Sequence, residues 1–265
     1  KTVDMGKPMP FQKPTWAKTY TEEDLVCRDH SEITSGYWWI ELGGDDLDVI
    51  SDGEIIRDEL LKAVYGVWDH IKNTPHHHAQ NHVLDWIGFL PGKRESRRVI
   101  GDYILKEQDC FAGKIFDDAI AYGGWPMDMH VIGGLRTKRE PTLFLGLKEV
   151  YTIPYRSIYS KNIKNLFIGG RAISCSHMAF GSTRVMATCA VVGQASGTAA
   201  AMIIKKKIQP KELLHHISEL QQNLLKDDCY IPGFSNQDKK DLAKKAIVKA
   251  SSVFPNTNAK GIING

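Results

Sequence analysis

The chain has 265 residues, 42% hydrophobic and 25% charged, proportions of a globular protein able to bury a core, which excludes a disordered chain, a collagen repeat and a coiled coil. Its +3 net charge gathers at one end: residues 205–265 hold 11 lysines, no arginine and six acids, a net of +5 against −2 for the first 204. That is a basic tail on a near-neutral body with no basic stripe interleaved with aromatics, so a solvated helical face is expected and nucleic acid is not an expected partner.

Residues 1–30, with Pro8, Pro10 and Pro14, read as an extended segment crossing a surface. The aromatic run from Gly36 to Leu42, closed by Gly43 and Gly44, predicts a buried strand. Ser51 and Asp52 are the expected caps of a helix over Glu54–Asn73, where Ile56, Leu60, Val64, Val67, Trp68 and Ile71 recur at helical spacing before Pro75. Val83–Leu90 and Arg98–Leu105 predict two strands of a hairpin turning at Pro91-Gly92-Lys93. Glu107–Tyr122 reads as a helix ending at Gly123-Gly124.

Strands are then expected at Leu143–Leu147, Val150–Ile158 and Asn165–Ile168, the last short and buried before Gly169-Gly170. Gly181-Ser182-Thr183 is expected to open a long helix whose body, Val185–Lys205, is crowded with Ala, Gly, Ser and Thr, so that its backbone can approach another backbone or a ligand closely. Pro210 begins a further helix through Leu213, Ile217, Leu220 and Leu224, and Gln237–Ser251 reads as a last one. No apolar run approaches the about 18 to 20 residues of a membrane helix, and Lys1 to Met5 lacks the apolar stretch of a signal peptide, so soluble material without a membrane partner is expected. The chain starts at Lys1 rather than Met, so the N-terminus does not report the compartment. Five widely spaced cysteines without a CxxC pair predict reduced thiols, with Cys175 and Cys189 as small buried hydrophobes.

Common catalytic motifs are absent: there is no GxGxxG, GxxxxGK, GxSxG or HExxH. Instead Asn165–Thr198 reads as strand, glycine pair, small polar loop and small-residue helix. Such an order forms an anion cradle, because free backbone N–H groups and the positive end of a helix dipole point at one spot. The competing reading of the same helix is tight packing without a ligand.

At these residues the chain resembles the FAD-dependent oxidoreductases of the FAD_oxidored type, within the flavoproteins that have two dinucleotide-binding domains. The resemblance is carried by YTIPYRSI (Tyr151–Ile158), NLFIGGRAIS (Asn165–Ser174) and GSTRVMATCAVVGQASGTAAA (Gly181–Ala201), and upstream by GYWWIELGG, LPGKRESRRVIGDYIL and GGWPMDMH, spanning Gly36–Ala201. It implies an α/β fold: a partial FAD/NAD(P)-binding, Rossmann-like domain over 151–205, joined to a mixed or antiparallel β-sheet substrate domain over 31–150, with a helical tail over 206–265. It further implies that the GxGxxG segment gripping the ADP half of FAD lies in an N-terminal half of the same enzyme, which would be a partner of this portion.

By the same resemblance Gly169 and Gly170 let the backbone run beside the pyrophosphate and ribityl chain of FAD, with Ser174 in the same stretch. Arg171 stands where many relatives carry an acid, and is expected to meet phosphate or a domain contact. Gly181, Ser182, Thr183, Arg184 and Val185 are expected near flavin N1 and the C2 carbonyl, where a helix N-terminus favours the negative charge of reduced flavin. Hydride from a small polar organic substrate then passes to flavin N5 while a base takes a proton.

On the substrate side, strand alternation over 94–98 sends Arg97 to the side of Val99 and Tyr103 and sends Arg94 and Arg98 to the other, either set able to hold a carboxylate or sugar hydroxyls. The bland reading is a solvated, ion-paired edge strand. Asp128 and His130 lie two apart in an extended stretch and are expected to face one cavity, with His130 or His177 as base; both histidines also read as ordinary hydrogen-bonded ones. No metal site is expected in His76-His77-His78 with His82, since adjacent histidines point different ways and no acid or cysteine sits at a ligand spacing. Trp38, Trp39, Trp68, Trp86 and Trp125 read as core before carbohydrate platform. Two functions compete: an FAD-dependent oxidoreductase, and a cofactor-free interaction or substrate-binding module that keeps the fold.

Overall fold

A computed structural model describes residues 1–34, 38–255 and 257–263. In chain order it has β1 (Thr2–Asp4), α1 (Gly53–Asn73), β2 (His82–Leu84), α2 (Glu107–Phe111), β3 (Ala119–Gly123), β4 (Met127–His130), β5 (Thr142–Leu145), β6 (Tyr151–Pro154), α3 (His177–Thr183), α4 (Met186–Lys206) and α5 (Ile217–Lys226). The strands form three two-stranded sheets, β1 with β2, β3 with β6 and β4 with β5, the first two antiparallel. The fold is mixed α/β, built from helices and small sheets. Its contacts divide it into two compact units, Lys1–Arg97 with Met129–Leu143, and Arg98–Asp128 with Phe144–Gly265. These divisions are not the ones at 30, 150 and 205 read from the sequence.

In the first unit the apolar stripe of α1 forms as expected and is the core: Ala63, Val67, Trp68 and Ile71 are buried with Leu25, Trp38, Ala79 and Leu135. Trp38 stacks on Trp68 with centroids 5.9 Å apart. Asp52 is the N-cap residue, yet its side chain makes no cap bond; the Asp52 carboxylate accepts from the Asp48 N–H at 2.8 Å. The aromatic run is not a strand over 38–44, because Trp39 takes a left-handed φ of 53° and Gly43 and Gly44 are also at positive φ; Gly36 and Tyr37 of that expectation lie outside the described residues. The expected 83–90 with 98–105 hairpin is also replaced: β2 pairs with β1, Thr2 opposite Leu84. Residues 91–100 hold no strand, so the alternation argument for Arg94, Arg97 and Arg98 fails. Trp86 and Trp125, at 64% and 50% exposure, are not core.

Residues 5–20 cross α1 without helix or strand of their own, and Gly66 admits them: a Cβ there would collide with the Lys18 carbonyl. Lys18 Nζ and Lys62 Nζ sit 2.6 and 2.7 Å from the two oxygens of Glu59. Their hydrogen bonds draw the Glu59 carboxyl from 4.5 down to about 2. A carboxyl depressed on folding stabilises above its unfolded pKa and loses that contribution as pH falls through the folded value. The contribution is therefore expected to drain between pH 4.5 and about 2, and Glu59→Gln should flatten that part of a urea-denaturation series against pH. An unchanged pH slope would refute the pairing.

In the second unit the expected helix over 107–122 stops at Phe111. Gly113, at φ +57°, turns the chain, and Ala119-Ile120-Ala121 continues as a fully buried strand paired to β6. A short unbroken apolar run reads alike as buried helix or buried strand. Residues 98–105 run beside 172–175 through Val99 N to Ala172 O and Leu105 N to Ser174 O, each 3.0 Å, with a parallel bridge from Leu105 to Cys175. Asn165–Ile168 is not a buried strand; it is exposed to half-buried and bridges Tyr159 through Phe167. Cys110 and Cys175 are buried and outside any disulfide, and burial pushes the Cys110 thiol up to about 12.

The helix expected from Gly181 is two helices. α3 starts earlier, capped by Ser176, whose Oγ accepts from Ala179 N at 3.2 Å, and Gly181-Ser182-Thr183 are its buried last turn. Val185 then takes extended dihedrals, φ −67° and ψ 146°, and α4 begins at Met186. With 21 residues α4 is, by length and composition alone, a weak candidate membrane span, a test that packed core helices also pass. Its small residues serve packing: a Cβ on Gly169 would lie 3.2 Å from Gly193 Cα, and Ser196 Oγ donates to Ile168 O at 2.7 Å. After a 3₁₀ segment over Pro210–His216, α5 packs on α4 and β3. The helix expected over 237–251 is reduced to a 3₁₀ turn, Ala243–Lys245, because Leu242 and Ile247 are 82% and 88% exposed and find no surface to bury against.

Candidate functional site

The break between α3 and α4 leaves the start of α4 open. Its N-cap, Val185, has no side-chain oxygen, its first turn holds no acid, and Met186 is 89% exposed. The first N–H groups of a helix lack partners within it and carry the positive end of the dipole. Two arginines stand by this end. Arg184 immediately precedes the N-cap and is fixed by Asp128, with Nη2 2.7 Å from Oδ2 and 3.3 Å from the Asp128 carbonyl. Arg171 is exposed and close enough to Cys189, in the first turn of α4, to draw its thiol down against the larger upward effect of burial.

Arg184 also lies over the Phe180 ring, 5.9 Å from its centroid, and Arg98 lies over the same ring at 5.4 Å. Arg98, Asp128 and Arg184, assigned separately to substrate and cofactor by sequence, thus share one cluster built on Phe180, which sequence reasoning missed. Its signal was its position in a small polar loop ahead of an all-small helix. Ser182 does not face solvent: Tyr151 Oη donates to its Oγ at 2.7 Å, and that Oγ donates to Trp125 O at 2.5 Å. Thr183 is likewise buried. Gly181–Thr183 therefore support α3 and do not present a helix N-terminus to a ligand. Ser174 is buried, and its Oγ has no hydrogen-bond partner among the described residues. Gly170 is at φ +125° with open space around it, and Gly169 serves the approach to Gly193. His177 is an exposed first residue of α3.

The first unit holds a separate group. His130 Nδ1 is 2.8 Å from Glu41 Oε2, Arg94 Nη1 is 2.8 Å from Glu41 Oε1, and Arg94 Nη1 is 2.7 Å from His130 Nδ1. The Trp39 ring lies 6.2 Å from that of His130. Arg94 and His130 thus come together as the bond between a guanidinium, an imidazole and a carboxylate that was not foreseen; Glu41 stood out in sequence only as the one acid inside an aromatic run. Asp128, two positions before His130, holds Arg184. Arg97 is exposed and acts on Asp48.

A family model described as FAD dependent oxidoreductase matches residues 4–224, a wider span than the motifs that carry the resemblance. The chain belongs to this family. No curated protein and no solved structure matches it. As an FAD-dependent oxidoreductase family member the chain is an oxidoreductase whose family name implies FAD. The start of α4 fits an anionic group through its uncapped helix end, with the Arg184–Asp128 pair next to it and the exposed Arg171 near enough to act on Cys189 of the first turn. The buried hydroxyls of Ser182 and Thr183 do not contribute to that fit.

Proposed function

We propose that this chain is an FAD-dependent oxidoreductase that takes a hydride from a small polar organic substrate, and that the start of α4 receives an anionic part of FAD. The observation that carries this reading is the uncapped N-terminus of a 21-residue helix with Arg184 and Arg171 beside it. When bound, FAD supplies a two-electron acceptor for the hydride at N5. Of the residues present, Arg171, Val185 and the first N–H groups of α4 would hold it, the partial counterpart of a Rossmann-like cofactor domain.

Asp128 fixes the direction of the Arg184 guanidinium, so its charge costs little ordering when an anion arrives. Phe180 supports the same guanidinium from its ring face. In the first unit Glu41 holds His130 at Nδ1 while Arg94 Nη1 lies 2.5 Å from its Nε2, so a base role for His130 requires Arg94 to leave that nitrogen to a substrate hydroxyl or amine. Arg94, on the other Glu41 oxygen, would hold a substrate carboxylate or hydroxyl. His177 is the second candidate for the base. Because no GxGxxG occurs in the 265 residues, we assign the grip on the ADP half to an N-terminal half of the same enzyme.

Titrating FAD into the full chain, followed by flavin fluorescence, tests the assignment. Saturable quenching that weakens as salt rises is expected, since exposed charges are screened over about 8–10 Å at 0.1–0.15 M salt. Arg171→Glu should weaken it further. A chain that leaves free FAD fluorescence unchanged, alone and with a polypeptide carrying the GxGxxG segment, points to the cofactor-free module instead.

A further inference from the structure

At the C-terminal end of α1 three imidazoles converge on one carboxylate. His70 comes from the last turn of α1, His77 from the 3₁₀ turn Pro75–His77 that follows, and Glu22 and His30 from the N-terminal segment laid beside it. The three ring centroids are 5.0, 5.1 and 5.4 Å apart with interplanar angles of 55°, 72° and 62°, so they surround a point and do not stack. His70 Nε2 and His77 Nε2 are each 3.0 Å from Glu22 Oε1 and 3.3 Å from each other, and His30 Nε2 is 3.3 Å from Glu22 Oε2. One ligand atom from each of the four lies within 4.8 Å of all the others. The histidine side chains are only 10%, 7% and 9% exposed.

With neutral imidazoles, hydrogen bonds leave His30 unmatched in this arrangement. His30 Nδ1 is 2.5 Å from the Arg28 carbonyl. A carbonyl only accepts, so Nδ1 carries the proton and a neutral His30 aims the bare lone pair of Nε2 at a carboxylate. The Nε2 atoms of His70 and His77 face one another while crowding a single Glu22 oxygen, which His76 also reaches at 2.7 Å. A cation at the centre resolves every one of these conflicts, because lone pairs are what it requires. Ligands about 2.0–2.1 Å from a tetrahedral zinc ion lie about 3.3 Å from one another, the spacing found between His70 and His77 and between His30 and Glu22.

The surroundings agree. Metal-bound histidines donate their second N–H to a neighbour that fixes the ring, as His30 does to Arg28 O, and Thr74 Oγ1 stands 3.5 Å from His70 Nδ1. Glu22, His30 and His77 also border a cleft of about 970 Å³ that gives an ion a way in. Three imidazoles and one carboxylate are a borderline-hard donor set, suited to zinc and its neighbours before calcium or magnesium.

We propose that Glu22, His30, His70 and His77 bind one divalent transition-metal ion of the zinc class, which fastens the N-terminal segment to the end of α1. This proposal departs from the expectation of no metal in the His76–His78 and His82 group: only His77 of that group takes part, and the acid missing nearby in sequence comes from 55 positions away. His76 also reaches Glu22, but its side chain is 59% exposed and stands outside the enclosed set.

The test is calorimetric titration of ZnCl₂ into the EDTA-treated full chain, with a thermal melt at each step. One equivalent should bind saturably, the melting temperature should rise with zinc and fall again with EDTA, and CoCl₂ should give the visible absorption of a tetrahedral site. Loss of partners outside the coordination sphere weakens metal binding about 10- to 100-fold, so His70→Ala, His77→Ala and Glu22→Gln should each weaken it about 100-fold or more, and His76→Ala less than tenfold. Glu22 is 51% exposed, so Glu22→Gln keeps the test intact if a histidine variant fails to fold. Absence of saturable zinc binding overturns the proposal, as does wild-type affinity in Glu22→Gln, or loss of binding in His76→Ala with retention in His70→Ala.

Discussion

Replacing Ala187 with glutamate is expected to raise the stability of the protein while lowering its affinity for FAD about tenfold. Ala187 is the second residue of α4, exposed, in a first turn without an acid. A carboxylate there faces the positive end of the helix dipole and stabilises it by about 0.3–1 kcal/mol. The same carboxylate repels the anion we assign to this end. Two unit charges about 4 Å apart interact by about 1 kcal/mol in water and about 4 kcal/mol near a protein surface, and about 1.4 kcal/mol is a factor of ten in affinity. Two opposite signs from one substitution separate the site from the fold, because damage to α4 would lower both. The measurements are a thermal melt and an FAD fluorescence titration of wild type, Ala187→Glu and the neutral Ala187→Gln. A stabilised Ala187→Glu protein with unchanged FAD affinity would mean that the tip of α4 does not face the cofactor. A carboxylate at Ser182, by contrast, is expected to disrupt the packing of Tyr151 against α3 and so report on folding alone.

Much of the helical framework was legible because a helix announces itself through a period. The stripe from Ile56 to Ile71 repeats over about four turns, and nothing else explains it. Where the signal lay in a few residues, tertiary partners decided. Ala119-Ile120-Ala121 has the composition of a helix interior, but β6 offered it a ladder and Gly113 turned it away from α2. Pro91 and Gly92 looked like a hairpin turn, yet β2 found its partner in residues 2–4, some eighty positions upstream. The helix start expected at Gly181 lies about one turn and a half further on, because Val185 restarts the helix after Ser176 has already begun one. The clusters were least visible. Each histidine of the group around Glu22 is unremarkable in its own stretch, and Glu41 acquires its meaning only when residues 94 and 130 are brought to it. Chemistry assembled from distant segments leaves no local pattern to read.

That dependence on distant backbone gives the other large effect: Gly134→Ala is expected to destabilise the first unit by about 3 kcal/mol or more and to disturb His130 with it. Gly134 is at φ +50°, and a Cβ there would collide with the Glu41 carbonyl. The left-handed conformation costs a residue with a Cβ about 1–2 kcal/mol, and forcing extra bulk into a packed contact costs about 1–3 kcal/mol. Flexible side chains could yield, but here the obstacle is backbone, and that backbone is held in place: Leu135 N donates to Glu41 O at 2.8 Å. To admit the methyl group the Glu41 segment must move, taking with it the carboxylate that orients His130 and Arg94. Denaturant unfolding should show the loss of stability, and the His130 ring resonances should shift in the folded fraction. Glu41→Gln separates the two consequences, since it leaves the backbone contact intact and removes the charged acceptor that His130 faces, so it should shift the His130 ring resonances with little loss of stability. A Gly134→Ala protein of wild-type stability would show that Glu41 is not held against this turn, and the positioning of His130 by Glu41 would fall with it.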